Sequence, residues 1–165
     1  MIPVTESINF IDVQRALEMD SIDEASLPTD EQIHAWVDMV LNELKPGAEL
    51  TVRIVDEDEI AALNEEYRNK QGSTNVLSFP IDEELPLPVP LLGDLVISAA
   101  VVEREAKQQN KDIASHWAHM IIHGTLHLLG FDHLEEADTT EMEQTEIILL
   151  GKLGISNPYE VADHS

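Results

Sequence analysis

The chain contains no cysteine. Disulfides and thiolate metal sites are therefore excluded, and any transition metal must be held by His, Asp or Glu. It also lacks an apolar run near the roughly 20 residues that a membrane span needs. The opening residues, Met1 to Glu6, have neither the basic nor the apolar block of a secretion signal, and a reducing cytoplasm is the expected location. Cations are scarce: 9 Lys and Arg face 33 Asp and Glu, for a net charge of −24. That deficit speaks against tight non-specific binding of long nucleic acid, which needs many phosphate contacts. The cations are nevertheless clustered. Arg53, Arg68, Lys70, Arg104, Lys107 and Lys111 all fall between positions 53 and 111, which leaves room for a local basic face.

What is present fits one packed domain over residues 1–165, at 43% hydrophobic and 25% charged residues. Ser7 to Val13 alternates polar and apolar side chains, as does Leu50 to Val55, and both read as strands. Asn75 to Phe79 and Leu92 to Ala99 read as two more. Helical spacing of apolar residues runs over 31–44, 57–70, 99–109, from Asp112 or Ser115 to Gly130, and over Thr140 to Leu153. Three alternating prolines in 83–91 exclude a helix there and favour a surface loop. The last of these helices should bury Met142, Ile147, Leu149 and Leu150, and residues from about 157 to 165 read as a loose tail. The order of elements predicts an α+β fold with helices packed on a small mixed sheet.

Five of the seven histidines lie between positions 116 and 133: His116, His119, His123, His127 and His133. Residues four apart on a helix stand one turn above one another, so His123 and His127 can point at one ion. Gly130 breaks the helix and lets His133 return as a third ligand. Three neutral imidazoles leave a fourth position for water, the arrangement of a catalytic zinc site at the end of a central helix. His119 and His116 share the stripe. Either is a substitute ligand, a supporting or substrate group, or simply a structural histidine, and Asp132 is placed to orient an imidazole. The spacing is also that of metzincin proteases. Position 124, however, is glycine where those enzymes carry the glutamate that activates water.

The run His123-Gly-Thr-Leu-His127-Leu-Leu-Gly-Phe-Asp-His133 strongly resembles the signature of the YbeY family of rRNA-maturation endoribonucleases. Leu63-Asn64-Glu-Glu-Tyr67-Arg68-Asn-Lys70 with Ser73 to Pro80, and Leu92-Gly93-Asp94-Leu95-Val-Ile-Ser98, resemble two further blocks of that family. Ser115 to Met120 and Glu141-Met-Glu143 flank the histidine motif as they do in members. The resemblance implies a Zn2+-bound endoribonuclease acting on single-stranded RNA, maturing the 3′ end of 16S rRNA and serving ribosome quality control. It implies His123, His127 and His133 as metal ligands and Arg68 as the functional arginine. It also implies partners in the small subunit: rRNA, a ribosomal protein and an assembly GTPase. Phe131 replaces the usual tyrosine and Gln71 the usual acid, and neither is a proposed ligand.

On this reading Arg68 binds the scissile phosphate opposite the ion, with Lys70 as a further substrate contact. Ile60, Leu63 and Tyr67 should pack that helix and leave the guanidinium directed outward. A non-catalytic, metal-containing ribosome-assembly factor is the main rival, and a metalloprotease the third reading.

Overall fold

Leu50, Val52 and Ile54 alternate with Glu49, Thr51 and Arg53 along a strand, β2 (Glu49–Val55), and the three apolar side chains are fully buried. The computed structural model describes residues 9–17, 27–68, 72, 74–81, 91–130 and 136–159. Three other described strands are β1 (Phe10–Ala16), β3 (Val76–Pro80) and β4 (Leu91–Ser98), and the sheet order is β1-β2-β4-β3. β1 and β4 flank β2 in parallel, whereas β3 runs antiparallel to β4 along an edge. The sheet is therefore mixed, as an α+β fold predicts.

Parallel neighbours require a crossover, and helix α1 (Asp30–Leu44) supplies the one from β1 to β2. Thr29 starts it with a capping box. Its hydroxyl accepts from Gln32 N at 3.1 Å, and its own backbone N–H donates to the Gln32 side chain at 2.9 Å. The other helices among the described residues are α2 (Glu57–Arg68), α3 (Ala99–Gln108), α4 (Ile113–Leu128) and α5 (Glu136–Lys152). The main core joins one face of the sheet (Leu50, Val52, Ile54, Leu95, Ile97) to α1, α3, α4 and α5. On the other face, Val55, Leu77 and Val96 meet Ile60 of α2, with Ala16, Leu63 and Phe79 packed alongside.

Helix α4 is central. Most of its residues are buried, and it touches α1, α3, α5, β3 and β4. Such a helix is apolar nearly all round. Asp112 caps its start by accepting from Ser115 N at 3.1 Å. Gly130 ends it at φ 104°, a left-handed conformation that only glycine adopts freely, with its N–H bonded to His127 O at 3.0 Å.

Several boundaries differ from the sequence reading. β1 runs on to Ala16 because it pairs with the whole of β2 up to Ala16↔Val55. α5 begins at Glu136, a turn before Thr140. The described part of α2 stops at Arg68, and Tyr67 is 60% exposed rather than core. The reason is geometric: α2 covers only the small cluster, and Asn64 takes the second buried position, donating to Gly72 O at 3.0 Å. Ile147 is only half-buried. The proline-rich segment 82–90 lies outside the described residues.

Candidate metal centre

The spacing of His116, His119, His123 and His127 puts four imidazoles on one line along α4. Successive ring centroids are 6.3, 6.1 and 4.7 Å apart. The line starts inside the protein and ends near its surface. His116 and His119 are buried at 3% and 8% exposure, and His123 and His127 are half-buried.

Two carboxylates from other helices reach this line. Glu105 of α3 accepts from His116 Nε2 at 3.0 Å and from Asn75 Nδ2 at 3.1 Å. Burial pushes the His116 imidazole below its ordinary value, against the opposing pull of Glu105. Glu146 of α5 has no exposed surface and lies between two rings: Oε2 is 2.7 Å from His119 Nε2, and Oε1 is 2.7 Å from His123 Nδ1. The Tyr159 hydroxyl donates to Oε2 at 2.5 Å. Burial pushes the Glu146 carboxyl up, but the bonds from His119 and His123, the His123 charge and Tyr159 outweigh it and hold the group at about 2. Burial, then Glu146 itself, push the Tyr159 phenol up, so it stays a donor.

An ionised carboxylate only accepts. In the neutral imidazoles the protons on these bonds therefore sit on His119 Nε2 and His123 Nδ1, and that tautomer of His123 presents the Nε2 lone pair. That atom lies 3.2 Å from His127 Nε2. Two imidazole nitrogens bound at about 2.0–2.1 Å in a tetrahedral shell stand about 3.3–3.4 Å apart. The pair thus fits a common zinc-type ion, with Glu146 behind one ligand as orienting carboxylate. A second set, His119, His123 and Glu146, brings one donor atom from each residue within 4.8 Å of the others and is also placed to hold an ion.

Gly124 lies between the two facing histidines, and its place explains the missing glutamate. A Cβ there would meet Leu95 Cδ2 at 2.7 Å, Val76 Cγ2 at 3.1 Å and Ser78 Oγ at 3.4 Å. Position 124 therefore faces the sheet, and no carboxylate at it could serve an ion held by the imidazoles. Close packing instead lets the Ser78 hydroxyl donate to Gly124 O at 3.1 Å.

The Ser78 backbone carbonyl, in turn, accepts a bond from the Arg68 guanidinium. Arg68 Cζ also lies 5.8 Å from the centroid of the Phe79 ring. Ser78 thus joins the end of α2 to the turn that carries His123 and His127. Of the four arginines, Arg15 pairs with Asp30 at 2.7 Å, Arg53 with Glu59 at 2.9 Å and Arg104 with Glu57 at 2.8 Å. Among the described residues Arg68 has only the carbonyl and the ring, both neutral. Of the six cations that could form a local basic face, Arg53, Arg104 and Lys107 are thus paired with carboxylates, Lys107 at 3.5 Å from Glu103, and Lys70 lies outside the described residues.

A profile of the YbeY family, described as Endoribonuclease YbeY, matches residues 18–154. The chain belongs to the YbeY family. It is 53% identical over 140 residues to Endoribonuclease YbeY of Idiomarina loihiensis, a match covering 83% of this chain and 86% of that protein. It also resembles the solution structure of TM1509 from Thermotoga maritima, with a TM-score of 0.57 and 27% identity, over 92% of this chain and 97% of that one.

The span shared with the YbeY family holds Arg68, the histidine line and Glu146, whereas Tyr159 lies beyond it. Among the residues singled out by sequence, His119, His123 and His127 share one network and Arg68 is tied to it through Ser78. His133, Asp132 and Lys70 lie outside the described residues. Sequence reasoning missed Glu146 and Tyr159. Glu146 did leave a signal, because it falls between Met142 and Leu149–Leu150 on the buried stripe of α5. A lone carboxylate on such a stripe implies a partner. Tyr159 left none, and of the segment expected to be a loose tail, residues 160–165 lie outside the described part.

Proposed function

We propose that this chain is a zinc-dependent endoribonuclease that cuts single-stranded RNA during rRNA processing, including maturation of the 16S rRNA 3′ end, and serves ribosome quality control in the cytoplasm. The observation that carries the reading is the 3.2 Å approach of His123 Nε2 and His127 Nε2, backed by Glu146, in a chain of the YbeY family. His123, His127 and His133 hold the ion, and a wholly nitrogen and oxygen donor set suits zinc. When bound, the ion supplies an activated water and charge for the phosphate oxygens. Glu146 fixes the tautomer and direction of His123. Arg68 binds the scissile phosphate, for which its planar fork is shaped, and among the described residues has no salt bridge to break first. Lys70, His119 and Asp132 are assigned supporting contacts to substrate or ligands. Docking on the small subunit, with a ribosomal protein and an assembly GTPase as partners, brings so acidic a protein to its RNA.

Gly124 facing the sheet removes the base that peptide hydrolysis would require. A non-catalytic assembly factor would have no use for an arginine whose partners among the described residues are neutral and that is tied through Ser78 to the turn between His123 and His127, which favours the enzyme. The test is cleavage of an unstructured RNA by zinc-loaded protein and by Arg68→Glu. The variant should keep its zinc and its melting temperature and lose about 100-fold or more in rate, with Arg68→Lys restoring part. Cleavage by Arg68→Glu at the wild-type rate would remove Arg68 from the chemistry. Wild-type protein that binds zinc yet leaves the RNA intact would favour the assembly factor.

A further inference from the structure

The last turn of α2 sets an exposed aromatic beside the arginine. Tyr67 is 60% exposed, and its ring meets Phe79 edge-to-face at 5.6 Å and 80°. The Arg68 guanidinium lies over the same Phe79 ring, 5.8 Å from its centroid. A single exposed tyrosine is ordinary on a protein surface. This one differs in three respects. The chain has only 2 Tyr, 3 Phe and 2 Trp, and two of these seven meet at the one arginine that lacks a carboxylate partner among the described residues. Phe79 is the neighbour of Ser78, whose hydroxyl reaches the turn between His123 and His127. Consecutive strand residues leave on opposite faces, so Ser78 points to the α4 backbone at Gly124 and Phe79 to Tyr67 and Arg68, across the thickness of one edge strand.

A single-stranded polynucleotide presents a phosphate and an aromatic face at every step, and proteins hold it with a cation and stacking side chains together. We infer that Tyr67, braced by Phe79, is the platform for one unpaired RNA base adjoining the phosphate bound by Arg68. This deepens the endoribonuclease reading and rests on it. A base inside a duplex already stacks on its neighbours and has no free face to offer, so the platform selects unpaired RNA. Stacking also answers the charge problem. The other arginines are engaged by Asp30, Glu59 and Glu57, so the chain has few phosphate contacts to spend, and a neutral contact adds affinity that the acidic surface does not oppose.

The experiment is equilibrium binding of a fluorescein-labelled unstructured RNA decamer to zinc-loaded protein, over a range of salt. Tyr67→Ala should weaken binding about 5- to 100-fold while leaving the salt slope unchanged. Tyr67→Trp should bind at least as well as wild type. Arg68→Gln should instead flatten the slope by close to one phosphate contact. Decamers carrying one abasic site, stepped along the chain, give the decisive arm: at one position the wild type should bind as weakly as Tyr67→Ala, and the two should no longer differ. Equal affinity of wild type and Tyr67→Ala for the intact decamer overturns the platform. So does a loss that persists undiminished at every abasic position, or one that is equally large on a duplex. Failure of the endoribonuclease reading looks different: the wild type binds the decamer in a Tyr67-dependent way and leaves it uncut.

Discussion

Replacing Gly124 by alanine tests the packing on which the centre depends, because two known effects oppose each other. In an exposed helix the change stabilises by about 1 kcal/mol, since glycine carries more chain entropy than alanine. Here the new methyl would stand 2.7 Å from Leu95 Cδ2 and 3.1 Å from Val76 Cγ2. Leu95 is fully buried and has little room to turn, and Val76 is β-branched and stiff. Overpacking of this kind costs about 1–3 kcal/mol. The net effect is a loss of about 1 kcal/mol, or about 2–4 °C in melting temperature for a chain of this size. The sign is therefore reversed from that of an exposed site. Relief of the clash moves β3 away from α4, stretching the 3.1 Å bond from Ser78 Oγ to Gly124 O and carrying Arg68 with it. A displacement of about 1 Å costs on the order of 100-fold in a positioned reaction. RNA cleavage should fall accordingly while bound zinc, measured by elemental analysis, stays near wild type. Adding Leu95→Ala should make the two changes less than additive, because the methyl then fills part of a cavity. A Gly124→Ala protein that melts higher than wild type and cuts RNA at the wild-type rate would refute the reasoning.

Three further outcomes follow from the buried groups. Glu146→Gln should lower zinc affinity about 10- to 100-fold in chelator competition, since the outer carboxylate fixes a ligand's direction; undiminished affinity would make Glu146 a packing residue only. His116 is held below its ordinary value of 6.5, so the unfolded chain takes up a proton first. Its contribution to stability is whole above that pH and declines on acidification, levelling off below the folded value. Denaturant midpoints of His116→Gln should lack that part of the slope. Leu150 is fully buried in the main core, and Leu150→Ala should cost about 2–5 kcal/mol by urea melting; unchanged stability with weakened RNA or partner binding would mark it as an interface.

The element order was legible because each periodicity had one reading. Ile33, Trp36, Val37, Val40 and Leu41 of α1 are all buried as their spacing requires, and the alternation of Leu50, Val52 and Ile54 is the alternation of the two faces of β2. Tyr67 failed that logic because a helical stripe marks what can be covered, and at Tyr67 the edge strand offers only the Phe79 ring, which leaves the tyrosine 60% exposed. The facing of His123 and His127 was legible from local helix geometry alone. Glu146 was not, because the contact that gives it meaning joins residues on two helices, and only packing brings them together. The same holds for Ser78, whose two bonds, one from its hydroxyl and one to its carbonyl, point to different helices.

Four imidazoles on the most buried helix would be a liability without partners, since an unpaired buried polar group costs about 1–3 kcal/mol. The partners come from two of the neighbouring helices and reach one nitrogen of each buried ring, whereas His116 Nδ1 and His119 Nδ1 have none among the described residues. Glu105 ties His116 to α3 and, through Asn75, to the start of β3. Glu146 ties His119 and His123 to α5. The inner half of the line therefore fastens the helices to one another, and the outer half inherits that rigidity where His123 and His127 approach the surface. Ligands held this way need little ordering when an ion arrives, which favours tight binding. The proposed substrate side is built differently. Arg68 and Tyr67 stand at the end of α2, over a cluster of four buried residues, Val55, Ile60, Leu77 and Val96, and Arg68 is anchored to a strand edge by one carbonyl. A fixed candidate metal half beside a lightly held, proposed RNA-binding half is the division expected of an enzyme that must keep one geometry for the phosphate and accept many sequences around it.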